Sequence, residues 1–254
     1  MEISANATPI VSIIIATYNA EKDVQDCLQS IVQQHFQQFE VLLMDAGSKD
    51  RTADIAAAFN DPRIKFHQAA DKGIYDAFNK GVNEANGKWI YFLGADDRLL
   101  PGFSDLAKQL KDPRTIYYGD SVPYYGDATP GMELLGGEFS SYRLAKHCMN
   151  HQTIFYPATV FQLYKYQLKY KIYADYALNI QAWGDRRFRQ QYIPVLIARY
   201  NMMGFSSSHN DPVFRRDKLM LIKQSMGWWM YWRLLFKNWK KRYQGEKNFW
   251  EPVL

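Results

Sequence analysis

Carboxylates recur in this 254-residue chain at places where the local pattern says a strand has just ended. Asp45 follows the run Phe39 to Met44, Asp71-Lys72 follows Ile64 to His67, and the adjacent pair Asp96-Asp97 follows Trp89 to Leu93. Thr17 and Asn19 stand in the same relation to Ile10 to Ala16. Two neighbouring carboxylates are costly to hold as bare anions, so the pair implies a cation between them and a further ligand. Aspartates are hard oxygen donors suited to Mg²⁺ or Mn²⁺, with substrate phosphates completing the shell. Each residue also has a plainer use. Asp45 or Asp50 could cap the next helix, Lys72 could be a solvated surface lysine, and Asp96-Asp97 could be a solvated turn.

The elements that would deliver these groups follow from hydrophobic periodicity. Ile10 to Ala16 and Trp89 to Leu93 are unbroken apolar runs, the pattern of strands buried on both faces. Between them Val24, Leu28, Ile31 and Val32 recur at helical spacing, predicting a helix over Glu21 to Gln34. A second helix is expected from Arg51 to Phe59. A third carries Ile74, Phe78, Val82 and Ala85 on one face and closes near Gly87. Strand–helix alternation at this spacing means a parallel sheet with right-handed crossovers, whose ligands sit beyond the carboxyl ends of the strands. Leu99 to Leu110 reads as a helix opened by Pro101, Thr115 to Gly119 as a strand ending at Asp120, and Gln191 to Ala198 as a late strand. Residues 121–141, rich in Tyr, Gly and Pro, suit a mobile loop or hairpin over a site. Asp175 opens a helix through Trp183 and could be its N-cap.

Composition narrows the class. The chain is 47% hydrophobic and 16% aromatic, so it packs a core, and its net charge of +5 favours anionic partners. Two cysteines support neither a disulfide framework nor a zinc site. His147-Cys148-x-x-His151 lacks the fourth ligand a transition metal would need. The segment MEISANATPI has neither a basic nor an apolar region of a secretory signal, and no apolar run reaches the ~20 residues of a spanning helix. No G-x-G-x-x-G follows the first strand and no G-x-x-x-x-G-K-[ST] occurs, which argues against dinucleotide oxidoreductases and P-loop ATPases. A diphosphate held without a glycine cradle can be held through a divalent cation.

The series S-I-I-I-A-T-Y-N, D-A-G-S-K-D-R-T, D-K-G-I-Y-D-A-F-N-K-G and F-L-G-A-D-D resembles the family-2 glycosyltransferases of the glycosyltransferase-A fold over roughly residues 9–103. It is especially similar to bacterial members that build O-antigen, capsule or exopolysaccharide units. The resemblance implies an α/β fold with a Rossmann-like, mostly parallel sheet. It also implies a nucleotide-sugar donor (UDP-sugar favoured over GDP-sugar), a divalent metal and a glycan hydroxyl acceptor. By the family pattern Asp45 would recognise the base, and Thr17 and Asn19 would line the nucleoside pocket. Asp71, Lys72 and Gly73 would border the ribose and diphosphate. Asp96 and Asp97 stand at the family's Asp-x-Asp motif, with Asp97 the implied metal ligand. The first carboxylate of that motif is replaced, because the sequence reads Gly94-Ala95-Asp96-Asp97. His151-Gln152 resembles the family's His-Gln step and would line the acceptor or sugar pocket. Asp175 falls where the family places its catalytic base, and 203–208 resemble the glycine-rich loop that closes over the donor. Displacement at the anomeric carbon then inverts it, with a separate carboxylate taking the acceptor proton. The Gln-x-x-Arg-Trp motif of processive synthases is absent, so single-sugar addition is expected.

The expected layout is a catalytic domain over 1–215, divided into a nucleotide-sugar half (9–103) and an acceptor half (104–215), followed by a helical segment over 216–254. In that last segment Trp229, Trp232, Phe236, Trp239 and Tyr243 recur every three or four residues beside Arg233, Lys237, Lys240, Lys241 and Arg242. Such a stripe suits an interfacial helix on an anionic membrane, placing the enzyme on the inner face of the cell membrane with a lipid-linked acceptor. The alternative is a helix packed on the catalytic domain. No nucleic-acid motif is present.

Overall fold

The computed structural model describes residues 8–125, 134–203 and 210–243, the last four without their side chains. β1 (Val11–Thr17), β2 (Phe39–Asp45), β3 (Ile64–Gln68) and β4 (Trp89–Gly94) pair in parallel in the order β3-β2-β1-β4. The crossovers are α1 (Val24–Val32), α2 (Thr52–Ala58) and α3 (Ile74–Glu84). Beyond β4 the sheet continues with β7 (Ile154–Pro157), β6 (Thr115–Tyr124), β8 (Arg189–Asn201) and the two-residue β5 (Arg98–Leu99). β7 runs antiparallel to β4 and β6, while β6 and β8 are parallel. The neighbours of β1 are β2 on one side and β4 on the other, so the strand order reverses at β1/β4, where a crevice opens at the carboxyl ends.

Period-2 alternation along the strands divides the core in two. In β1 and β4, Ile14, Ile90 and Phe92 point to one face, and Ile13, Ile15, Tyr91 and Leu93 to the other. Helices α1 and α4 (Gly102–Ala107) cover the second face through Leu28, Ile31, Phe103 and Leu106, all fully buried. The first face is covered by α3, α5 (Ser141–Lys146), α6 (Ala158–Leu163), α7 (Ala174–Gly184) and α8 (Pro212–Tyr243). At its centre Phe92 meets Phe78 at 4.6 Å, Tyr166 at 5.2 Å and Phe161 at 5.5 Å between ring centroids. Truncating such a side chain to alanine costs about 3–5 kcal/mol.

Several boundaries differ from the sequence reading. Ile74 does not join the buried face of α3: it is 44% exposed in the first turn, and Tyr75, Ala77, Phe78 and Gly81 are buried instead. β6 does not stop at Asp120 but runs to Tyr124, because β8 pairs with it along that whole length. Their register slips beside Pro194, which has no N–H to give the ladder. Leu99 belongs to β5, and Pro101 is the N-cap of a shorter α4. In the 121–141 segment, 121–124 is strand, Ser121 bridges to Leu135, and 126–133 lie outside the described residues.

The last helix starts earlier than the composition signal. Asp211 caps it, its Oδ1 accepting from Phe214 N at 3.0 Å, and its Oδ2 accepts from Ile172 N at 3.0 Å, tying the helix start to the segment before α7. The boundary expected at 215/216 therefore falls inside α8. Gly227, at φ 86°, breaks α8 into two limbs. Phe214, Ile222, Met230 and Leu234 pack into the core of the domain. Trp228, Trp229, Trp232, Phe236 and Trp239 are exposed, on the side of the second limb roughly opposite Met230 and Leu234. Among the described residues no helix is long and apolar enough to cross a membrane.

Candidate active site

Two cavities flank a shared wall at the carboxyl ends of β1 and β4. One, of about 710 Å³, is bordered by Tyr18, Asn19, Gly73, Asp96 and Lys171. The other, of about 540 Å³, is bordered by Asn150, Tyr173 and Asp175. Tyr75, His151, Gln152, Ile172 and Tyr200 border both.

The β4 end builds the first cavity's acidic floor. Asp97 N donates to Gly94 O at 3.1 Å, a turn that sends residue 97 back under the strand. Its carboxylate is 1% exposed and accepts three N–H groups: Gln152 Nε2 at 2.7 Å and Gly94 N at 3.1 Å on Oδ2, and Asn201 N at 2.8 Å on Oδ1. Burial and the neighbouring Asp96 charge push its pKa up to about 6 against the lowering effect of these donors. Asp97, expected to bind metal, borders the larger cavity together with Asp96, and its carboxylate joins the ends of β4 and β8 to the His-Gln turn. Asp96 faces the cavity, with Asn201 Nδ2 on its Oδ2 at 2.8 Å and no hydrogen bond on Oδ1 among the described residues. A Cβ at Gly94 would lie 2.6 Å from Asp97 Oδ2 and 2.8 Å from Asp96 Oδ1, so the family's first carboxylate has no room in this arrangement.

A divalent cation fits this donor set only as a partner of the substrate. Among the described residues no group of three or more His, Cys, Asp or Glu could hold a metal ion. Asp96 offers one hard oxygen, and phosphate oxygens would have to supply much of the shell, the usual mode for Mg²⁺ and Mn²⁺ at nucleotide sites.

The β1/β2 end is rigid. Asp45 is 1% exposed and accepts from Thr17 Oγ1 at 3.0 Å, Ser48 Oγ at 2.5 Å, Gly47 N at 2.9 Å, Ser48 N at 2.8 Å and Gln68 Nε2 at 3.0 Å. Burial raises its pKa, but these bonds outweigh it and leave the carboxyl below its ordinary value. Five donors fill the roughly four acceptor sites of a carboxylate. Thr17 and Asp45 are therefore spent on the Gly47 turn, and neither borders the cavity. Asn19, in the left-handed region at φ 48°, does border it; its Oδ1 accepts from Lys49 N at 3.0 Å. Asp71 accepts from Gly73 N at 2.8 Å, and Lys72 is exposed; neither borders the cavity, whereas Gly73 does. Lys171, which the sequence reading passed over, is the only lysine or arginine on the lining among the described residues.

On the other side, Asp175 is 7% exposed in the first turn of α7. The N-cap is Tyr173, so Asp175 is not the cap. Its Oδ1 accepts from Tyr176 N at 2.7 Å and Tyr75 Oη at 3.1 Å, and its Oδ2 lies 3.1 Å from His151 Nδ1. Gln152 is 3% exposed; with Nε2 on Asp97, its Oε1 is buried and has no hydrogen-bond partner among the described residues. Of the glycine-rich loop, 204–208 lie outside the described residues.

Comparison with known proteins decides the class of this double cavity. Residues 12–171 match the model of glycosyl transferase family 2. The chain belongs to that family. It is 36% identical over 208 residues to a PGL/p-HBAD biosynthesis glycosyltransferase of Mycobacterium bovis (strain BCG / Pasteur 1173P2), covering 78% of this chain and 79% of that protein. Among solved structures it is similar to S. aureus TarS 1–349 in complex with UDP-GlcNAc, with TM-score 0.71 and 19% identity over 85% of this chain and 67% of that one. It is also similar to the mannosyltransferase PcManGT of Pyrobaculum calidifontis in complex with GDP-Man and Mn²⁺, with TM-score 0.60 and 14% identity over 87% of this chain and 64% of that one. These two share the fold. The protein is a family-2 glycosyltransferase with a glycosyltransferase-A-like, mostly parallel sheet, as the sequence resemblance implied.

Proposed function

We propose that this glycosyltransferase moves one sugar from a nucleotide diphosphate sugar, a UDP-sugar first, to a hydroxyl of a lipid-linked glycan, inverting the anomeric carbon. The observation that carries this reading is the pair of cavities meeting at His151 and Gln152, with Asp96 on one side and Asp175 on the other. The larger cavity takes the donor. Tyr18, Asn19 and Gly73 form the nucleoside rim, and Lys171 faces the diphosphate. Thr17 and Asp45 hold that rim in shape, and Asp71 fixes the turn at Gly73. Asp96, rather than Asp97, meets a substrate-borne Mn²⁺ or Mg²⁺, which when bound neutralises charge on the leaving diphosphate. The smaller cavity takes the acceptor, with Asp175 as the carboxylate of the acceptor side. An acid on the far side of the wall from the leaving group suits in-line displacement.

One further line supports a lipid-linked acceptor. The second limb of α8 presents Trp229, Trp232, Phe236 and Trp239, each more than half exposed, with Arg233 and Lys237 beside them packing over the Tyr142 ring at 3.9 and 5.5 Å. Aromatic rings flanked by cations fit the headgroup region of an anionic membrane. The test of the reaction is release of UDP or GDP from UDP-glucose, UDP-galactose, UDP-GlcNAc and GDP-mannose with Mn²⁺, and its loss on chelation. Absence of turnover on all four, together with no binding of UDP or GDP, would refute the reading.

A further inference from the structure

We infer that Lys146, Arg233 and Lys237, gathered around the ring of Tyr142, form a site for the phosphate or diphosphate that joins the acceptor's sugar to its lipid. The inference rests on the glycosyl-transfer reading above and goes beyond it by naming the linking group and the residues that hold it. Three cations face one ring. Arg233 Cζ lies 3.9 Å from the Tyr142 centroid, and Lys146 Nζ and Lys237 Nζ each lie 5.5 Å from it. Lys237 is also within hydrogen-bonding reach of the Lys146 amine. Two ammonium groups have only hydrogens to offer each other, so an anion between them would satisfy both. Neither Arg233 nor Lys237 is ion-paired to a described carboxylate. The acids of this half serve other cations, Asp185 with Arg187, and Asp217 with Lys169 and Arg216.

The cluster stands between the smaller cavity and the exposed aromatic stripe. Tyr142 and Lys146, one turn apart on α5, meet Arg233 and Lys237, one turn apart on α8. The neighbouring pair, Arg143 and the C-cap His147, borders the cavity. Arg143 is spent on structure, its guanidinium donating to Glu138 O at 2.8 Å and to Gly136 O at 2.5 Å. On the other side Arg233 Cζ lies 5.1 Å from the ring of Trp229, which is 69% exposed. The field of the cluster reaches the cavity rim. Burial, with the charges of Lys146, Lys218, Arg143 and Lys237, holds the His147 pKa below its ordinary value.

A phosphate is the anion this arrangement suits. An arginine presents paired N–H groups that match two phosphate oxygens, and the lysines add point charges. An acidic sugar would carry its charge inside the cavity, whereas Lys146, Arg233 and Lys237 lie outside the lining, towards the stripe. A lipid-linked glycan carries its linking phosphate between sugar and chain, the same order as cavity, cluster and stripe. A phospholipid headgroup offers the same phosphate chemistry but has no glycan to enter the cavity.

The test is flotation of the intact chain, with chelator and without nucleotide, on phosphatidylcholine vesicles carrying either geranylgeranyl diphosphate or phosphatidylglycerol at matched surface charge. Wild type is expected to bind the prenyl diphosphate vesicles at least about tenfold more tightly. The combined variant Lys146→Gln, Arg233→Gln and Lys237→Gln is expected to lose that preference and keep its melting temperature nearly unchanged. Lys171→Ala, in the other cavity, should keep the preference. Should the combined variant fail to fold, Lys237→Gln alone, expected to reduce the preference roughly five- to tenfold, carries the same comparison. Inorganic pyrophosphate should displace the protein only well above the prenyl diphosphate concentration, because it has no chain for the stripe to receive. Displacement at equal concentration overturns the lipid source and makes this a site for free phosphate. Equal binding to the two kinds of vesicle overturns the proposal, since the cluster then reads bulk anionic headgroups. A preference kept by the combined variant, or lost in Lys171→Ala, also overturns it, because the diphosphate then sits elsewhere. Hydrolysis of the nucleotide sugars above is measured separately on wild type. Its absence, with no binding of UDP or GDP, sinks the transfer reading, while a retained vesicle preference leaves the cluster standing as a lipid-diphosphate site.

Discussion

Replacing Asp97 with asparagine should remove a pH-dependent component of stability that runs opposite to ordinary acid denaturation. Most carboxylates that lose protons readily in a fold, such as Asp45 and Glu40 with their lowered pKa values, give up stability only as pH falls below about 4. Asp97 is the reverse. Its pKa is raised from 3.8 to about 6 by burial and by Asp96, so the folded state takes up a proton before the unfolded state does. The unfolded chain therefore binds fewer protons between those values, and stability rises as pH falls from above 6 towards 4. The shift corresponds to about 3 kcal/mol in full, of which about 1 kcal/mol appears between pH 7 and pH 5. Asp97 is 1% exposed, so solvent screening takes little from this figure. His147, whose pKa burial lowers, opposes the trend in the same window. The comparison must therefore be made between wild type and Asp97→Asn, where the His147 contribution cancels. Urea unfolding at pH 7 and pH 5 gives the four free energies. Wild type should gain about 1 kcal/mol more than the variant on acidification. Equal gains would mean that Asp97 is not held as a buried carboxylate, and the account of it as joining β4 and β8 to the His-Gln turn would fall with it.

Three other outcomes check the site and the tail. Lys171→Ala should weaken UDP binding by roughly five- to tenfold, while Lys72→Ala stays within about twofold, read by calorimetry; the opposite order would return the diphosphate to Lys72. Restoring the family's acid with Gly94→Asp should lower nucleotide-sugar turnover rather than raise it, since its Cβ would press on Asp96 Oδ1 and Asp97 Oδ2 inside 3 Å; higher turnover would show that the motif tolerates the acid. Combined Trp232→Ser, Phe236→Ser and Trp239→Ser should abolish sedimentation with anionic vesicles and leave the melting temperature nearly unchanged. Leu234→Ala, on the packed side at 2% exposure, should cost about 2–5 kcal/mol of stability and spare vesicle binding.

The parallel half was legible because its physics is local. A β-branched run buried on both faces, a crossover helix with one apolar stripe and a polar strand tip each leave a mark within a dozen residues. β1 to β4 and α1 to α3 all lie within three residues of the predicted ends. The second half includes pieces too short to show a period: β7 has four residues and α5 and α6 have six each. Their form comes from what covers them, as with β7 inserted antiparallel between β4 and β6. Asp211 was missed as a helix start because the aromatic signal that drew attention lies a full limb further on. Its Asp-Pro pair at the cap and first helical position was available in the sequence.

The site divides along the same line. Sequence could say that β4 delivers acids to a crevice, but not how differently two adjacent acids are held there. The turn at Gly94, closed by Asp97 N on Gly94 O, makes the difference: both acids border the cavity, Asp97 at 1% exposure under three N–H donors and Asp96 under one. The partners that make burial of Asp97 tolerable, Gln152 and Asn201, are 55 and 104 residues away along the chain. No local pattern records them. The same holds across the wall, where Tyr75 from α3 and His151 from a 3₁₀ turn converge on Asp175 from α7. Parallel strand ends gather the side proposed for the donor from consecutive units, and sequence order reveals them together. The side proposed for the acceptor is gathered from separate connections, so its chemistry becomes visible only once β7 and β8 have closed the sheet around it.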